Sequence, residues 1–140
     1  MSIQFFFIDT SIKLTERKRL KIYLTTIFDK YKKPFSSLTA IFCTDDYLLG
    51  INKQFLNHDY YTDIITFNLA ESRQPIEGEI YISVDRVKDN AGTHGVGKTE
   101  ELHRVIFHGA LHLCGFKDKT TKDKVIMSAA ENECLSEYFK

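Results

Sequence analysis

The period of the apolar residues changes along this chain, and the changes divide it into elements. Ile3–Ile8 is an apolar run with aromatic neighbours, the pattern of a buried strand. From about Thr15 to Tyr31 the apolar positions are Leu20, Tyr23, Leu24, Ile27, Phe28 and Tyr31, which share one face of a helix. Pro34 stops that helix. Leu38–Thr44, β-branched and aromatic, predicts a second strand, after which Asp45 is placed to cap a helix running to about Asn57. Ile64–Leu69 predicts a third strand and, after turn signals at Pro75 and Gly78, Glu79–Val84 a fourth. The rest is helical: a short segment after Asp85, one from about Thr99 to Cys114, and one from Lys122 to Tyr138. Strands and helices alternate early and helices dominate late. That order predicts a small α/β (α+β) domain with a mixed sheet of about four strands covered by helices.

With 140 residues, 43% of them hydrophobic, the chain is long and apolar enough for one core, and intrinsic disorder is excluded. No linker, repeat or low-complexity tract divides it, so residues 1–140 are expected to form a single domain. No apolar run approaches the roughly 20 residues of a membrane span, and no cationic leader precedes a long apolar stretch, so the expected location is the cytoplasm. Three cysteines without a CxxC pair argue against a disulfide framework or a zinc ribbon. Nineteen basic residues balance nineteen acidic ones, yet Lys13–Lys33 holds eight basic residues against Glu16 and Asp29. That stretch suits either a phosphate-binding patch or a solvated helix face.

Gly92-Thr-His-Gly-Val-Gly97-Lys98-Thr99 satisfies G-x-x-x-x-G-K-[ST], but a phosphate loop needs a strand immediately before it. Here the preceding strand ends near Val84 and the intervening residues are polar and helical in pattern. The string reads instead as a loop whose Thr99 caps the next helix, and no nucleotide cofactor is expected.

The chemistry concentrates in the C-terminal half. His108 and His112 stand at i and i+4, so both imidazoles leave the same face of an otherwise apolar helix. Buried unpaired imidazoles are costly, and a shared divalent metal satisfies both. Gly115 suits a left-handed helix end, after which the chain can return Asp118 as a third ligand. Two imidazoles and a carboxylate with one open position describe a catalytic zinc site, although non-haem iron(II) takes the same set. His103 falls on another face, and Cys114 reads as a small core hydrophobe. Gly109 occupies the position at which H-E-x-x-H peptidases carry their general base, so no catalytic residue beyond the ligands is identified.

His108-Gly-Ala-Leu-His112-Leu-Cys-Gly-Phe-Lys-Asp118 closely resembles the H-G-x-L-H-L-x-G-[YF]-x-H signature of the YbeY family of bacterial metal-dependent endoribonucleases. Asn52-Lys-Gln-Phe55 and Tyr61-Thr-Asp-Ile-Ile-Thr-Phe67 are similar to its N-x-x-Y and P-T-[DN]-V-L-S-F segments. Glu77–Ser83 is similar to its G-D-I-x-I-S strand, and Met127 and Glu131 match its C-terminal helix. The resemblance implies single-strand-acting, metal-dependent cleavage of RNA in ribosomal RNA maturation, including 16S 3′-end processing, and in ribosome quality control. Zinc is the implied cofactor, and ribosomal RNA, the ribosome or small-subunit proteins are the implied partners. Two departures stand out. Asp118 replaces the family's third histidine, which can alter metal preference, and Leu56 replaces an arginine. His58 or a basic residue of Lys13–Lys33 is a candidate substitute for that cation. The resemblance also places Asp63 near the cleft, whereas its own context suits a cap at the start of a strand. The rival readings are a metal-dependent hydrolase of a non-RNA substrate and a non-catalytic assembly factor with a structural metal.

Overall fold

A computed structural model describes residues 1–140. Its elements in chain order are β1 (Ser2–Phe7), α1 (Arg17–Lys30), β2 (Phe35–Cys43), α2 (Asp45–Leu56), β3 (Ile64–Asn68), β4 (Ile76–Ser83), α3 (Val84–His94), α4 (Lys98–Leu113) and α5 (Thr121–Tyr138). The strands form one sheet in the order β1-β2-β4-β3, with β1, β2 and β4 parallel and β3 antiparallel to β4. This is the expected mixed four-stranded α+β domain.

Because side chains alternate across a strand, the sheet feeds two cores. Leu38, Ala40, Phe42, Ile80 and Ile82 face the larger one, where they meet Leu20, Leu24 and Phe28 of α1 and Leu102, Ile106 and Ala110 of α4. Cys43 and Ile65 face the other way, onto Leu48 of α2. The sheet is therefore covered on both faces, and α4 is enclosed by the sheet, α1, α3 and α5.

Several local expectations change. Thr44, not Asp45, caps α2: its hydroxyl accepts the Tyr47 N–H, and Asp45 sits in the first turn beside the positive end of the helix dipole. The cap of α4 is Gly97 rather than Thr99, which lies inside that helix. The glycine-rich string thus spans the end of α3, a turn at Gly95 and the start of α4, with no strand before it. Gly78 is no turn residue but lies within β4, where a Cβ would come within 2.6 Å of Leu113 Cδ1. The glycine is there so that α4 can sit close to the sheet.

β3 is an edge strand. The Ser83 N–H donates to the Asp63 carbonyl and the Leu69 N–H to the Glu77 carbonyl, so the main-chain groups of residues 65 and 67 point toward β4. Those of Ile64 and Thr66 point outward, away from the sheet.

Candidate metal centre

Residues 98–113 form a buried helix because apolar side chains surround it, and His108 and His112 emerge one turn apart at its C-terminal end. Their rings are parallel within 3°, with centroids 6.5 Å apart. Cys114 then ends the helix, and Gly115, at φ 106°, turns the chain back. That reversal brings Asp118 Oδ2 to 3.2 Å from His108 Nε2. His108, His112 and Asp118 line one cleft beside the β3 edge, together with Leu56, His58 and Lys119.

The opposite nitrogen of His108 is occupied. Nδ1 lies 2.6 Å from Glu131 Oε2, and Glu131 Oε1 accepts from Arg104 Nη1 at 3.0 Å. Arg104 in turn donates through Nη2 to Asn132 Oδ1 at 2.7 Å. An imidazole whose Nδ1–H is given to a carboxylate presents Nε2 as a lone pair, the arrangement found behind metal-bound histidines. Burial alone would lower the His108 pKa, but the Glu131 hydrogen bond and the charges of Glu131, Asp118 and Asp63 outweigh it and raise the pKa above the ordinary imidazole value. Burial also pushes the Asp63 carboxyl up, an effect that His108 partly offsets and that Glu131 and Asp118 reinforce. Three carboxylates therefore converge electrostatically on one half-buried imidazole. His108 Nε2 and Asp118 Oδ2 stand at the separation of two ligand atoms around tetrahedral zinc, about 3.3 Å, and their chemistry suits a divalent cation, but the His112 ring is not drawn in to complete a three-donor group. All the donors are nitrogen or oxygen, and burial raises the neighbouring Cys114 thiol to about 12, so it stays protonated.

The remaining expectations sort cleanly. His103 is buried, lies away from the cleft and bonds through Nδ1 to the Thr99 carbonyl at 2.7 Å. Cys114 packs in the main core. Gly109 faces the sheet: a Cβ there would lie 2.8 Å from Ile80 Cδ1 and 3.0 Å from both Ile80 Cγ2 and Ile64 Cδ1. Any side chain there would have to displace Ile80 and Ile64, so the glycine at the position of a peptidase base is a packing requirement. The basic residues of Lys13–Lys33 do not line the cleft. Arg17 sits over Phe7, Arg19 over Tyr138 and Lys21 over Phe5, while Lys30 pairs with Glu133. Leu56 does line the cleft, and the cationic or ionisable groups near it are His58 and Lys119. Glu131, behind the His108 ring, is the residue of this site that spacing alone passed over. Its signal is a glutamate on the buried face of α5, among Met127, Ala130, Cys134 and Leu135.

Residues 7–139 match the sequence model of the family described as Endoribonuclease YbeY. A Cytophaga hutchinsonii protein named endoribonuclease YbeY is 52% identical over 135 residues, covering 96% of this chain and 94% of that protein. A Porphyromonas gingivalis protein of the same name is 42% identical over 133 residues, covering 95% and 87%. Among solved structures, a solution structure from Thermotoga maritima superposes with a TM-score of 0.61 at 27% identity, covering 98% of this chain and 89% of that one.

Proposed function

The chain belongs to the YbeY family of endoribonucleases, and from that premise we propose that His108, His112 and Asp118 hold a zinc ion with which it cuts ribosomal RNA precursors. It is a hydrolytic nuclease of a metalloenzyme family, its substrate is RNA, and its role lies in ribosomal RNA processing. Within that role, the proposed step is maturation of the 16S 3′ end on single-stranded RNA, with ribosome quality control. It acts in the cytoplasm as one domain over residues 1–140, beside the ribosome or small-subunit proteins. No helix is long and apolar enough to cross a membrane. The two rival readings, a non-RNA hydrolase and a non-catalytic assembly factor, are not favoured by relatives named endoribonucleases.

The observation that carries the metal reading is the meeting of His108 Nε2 and Asp118 Oδ2 in a cleft shared with His112, with Glu131 behind the His108 ring. When bound, zinc supplies Lewis acidity toward a phosphate oxygen or an attacking water. The chain's own residues set the frame. Glu131 holds the proton on His108 Nδ1 and fixes the ring, and Arg104 holds Glu131. Asp118 contributes a hard anionic oxygen in place of an imidazole, which widens the range of divalent ions the site accepts. Lys119 and His58 line the same cleft and offer donors to phosphate charge where Leu56 cannot. The test is elemental analysis of the purified protein beside His112→Ala and Asp118→Ala, with circular dichroism and cleavage of a 16S precursor fragment. About one zinc per chain in the wild type, lost with cleavage in both variants while the fold persists, supports the reading. Undiminished cleavage after chelation to a metal-free protein refutes it.

A further inference from the structure

The rim of the cleft carries an aromatic pair that no core absorbs. His58 and Tyr60 stack with ring centroids 5.1 Å apart and planes 22° from parallel, and the Tyr60 hydroxyl lies 2.9 Å from His58 Nδ1. Tyr60 is 55% exposed, although burying an aromatic ring is ordinarily favourable. The neighbouring exposed aromatics have other employment: Tyr61 bonds Asp46 and lies under Arg86, and Phe55 packs edge-on against Phe67. His58 and Tyr60 line the same cleft as His108, His112, Asp118 and Lys119.

The pair is also held in place. α2 ends at Asn57 in the left-handed region, which turns the chain toward the cleft. Asn52, only 1% exposed, then secures the loop from both sides. Its carbonyl accepts the His58 N–H at 3.1 Å, and its side-chain amide donates to the Tyr60 carbonyl at 2.9 Å. One buried asparagine therefore presets both members of the stack, which lowers the ordering cost of any ring that lands on them.

Resting on the endoribonuclease reading, we infer that the His58–Tyr60 stack is a nucleobase platform that holds one unpaired base of the RNA beside the phosphate to be cut. An exposed, preset π-face takes any base, and only an unpaired base offers its own face in return. Lys119 in the same cleft supplies a cation for the adjoining phosphate. The platform thus selects single strands by stacking, without reading sequence.

The probe is a short, nuclease-resistant 2′-O-methyl oligonucleotide with a single 2-aminopurine, moved through successive positions and added to the metal-loaded protein. Stacking quenches 2-aminopurine, so the wild type should quench it strongly at one position. Tyr60→Ala should abolish that quench and weaken binding about 5- to 100-fold, and Tyr60→Phe should restore most of both. His58→Ala, which spares the Tyr60 ring, should give a smaller loss. On cleavable RNA the alanine variants should raise KM far more than they lower kcat, with unchanged circular dichroism. Quenching and binding at wild-type levels in Tyr60→Ala overturn the platform while leaving RNA cleavage by the wild type intact. Failure of the wild type to cut RNA overturns the nuclease reading itself, and the platform with it.

Discussion

Gly109→Ala places a single methyl group between the ligand helix and the sheet, and two effects of opposite sign meet there. Helix propensity favours alanine over glycine by about 0.8–1.0 kcal/mol. Against it, the new Cβ would sit 2.8 Å from Ile80 Cδ1 and 3.0 Å from Ile80 Cγ2 and Ile64 Cδ1. Optimal carbon–carbon contacts are about 3.5–4.0 Å, so three contacts are short by roughly half an ångström or more. Ile64 is partly exposed and can turn away, but Ile80 is fully buried and touches the new atom with both branches, so no rotation clears them together. Overpacking of this kind costs about 1–3 kcal/mol. The net expectation is a loss of about 1 kcal/mol, read as a lower urea midpoint at unchanged m value and a Tm lower by about 2–6 °C. Relief requires α4 to move off the sheet, and the movement carries His108 and His112 with it, so metal affinity should fall alongside stability. A variant more stable than the wild type by the full propensity gain would refute the close-packing argument.

Glu131→Gln keeps the volume but removes the charge behind His108, and should weaken metal binding about 10- to 100-fold in a chelator competition. For His103, burial is the largest influence and holds the pKa below the ordinary value of about 6.5, despite the bond to the Thr99 carbonyl. The unfolded chain therefore takes the proton first: its contribution is complete above about pH 6.5 and is lost as pH falls toward the folded pKa. Urea midpoints of His103→Phe should show a shallower fall between pH 7 and 5 than the wild type. Gly115→Ala touches no neighbour yet should cost about 1–2 kcal/mol, because φ is 106° there. Gly92→Ala, in open space inside α3, should instead gain about 0.5–1 kcal/mol, and calorimetry distinguishes the two signs.

The ligand helix was legible in the sequence because its signals are local. The spacing of His108 and His112, the glycine after the helix and the apolar surround all lie within a dozen residues. Strand ends were less legible: Phe35–Ser37 and Ile76–Gly78 extend β2 and β4 because each is paired to its neighbour, a benefit that depends on residues about 40 positions away. Gly78 and Gly109 look like a turn signal and a missing base until the approach of α4 to the sheet is known. The basic stretch misleads for a related reason. Four of its eight charges are spent over Phe5, Phe7 and Tyr138 and on Glu133, and the last two partners lie more than 100 positions away. Likewise His58 and Lys119, the donors that line the cleft, come from loops 61 positions apart.

The outward main-chain groups of Ile64 and Thr66 give the cleft a wall of a different material from its other sides. N–H and C=O groups on a free strand edge are donors and acceptors that every amino acid supplies alike, proline excepted. Side-chain replacement can reshape this wall but cannot erase its polarity. Ile64 is held by its packing against α4, but at Thr66 a mutational scan of the cleft will register the side chain alone and pass silently over the main-chain surface that lines the same cleft.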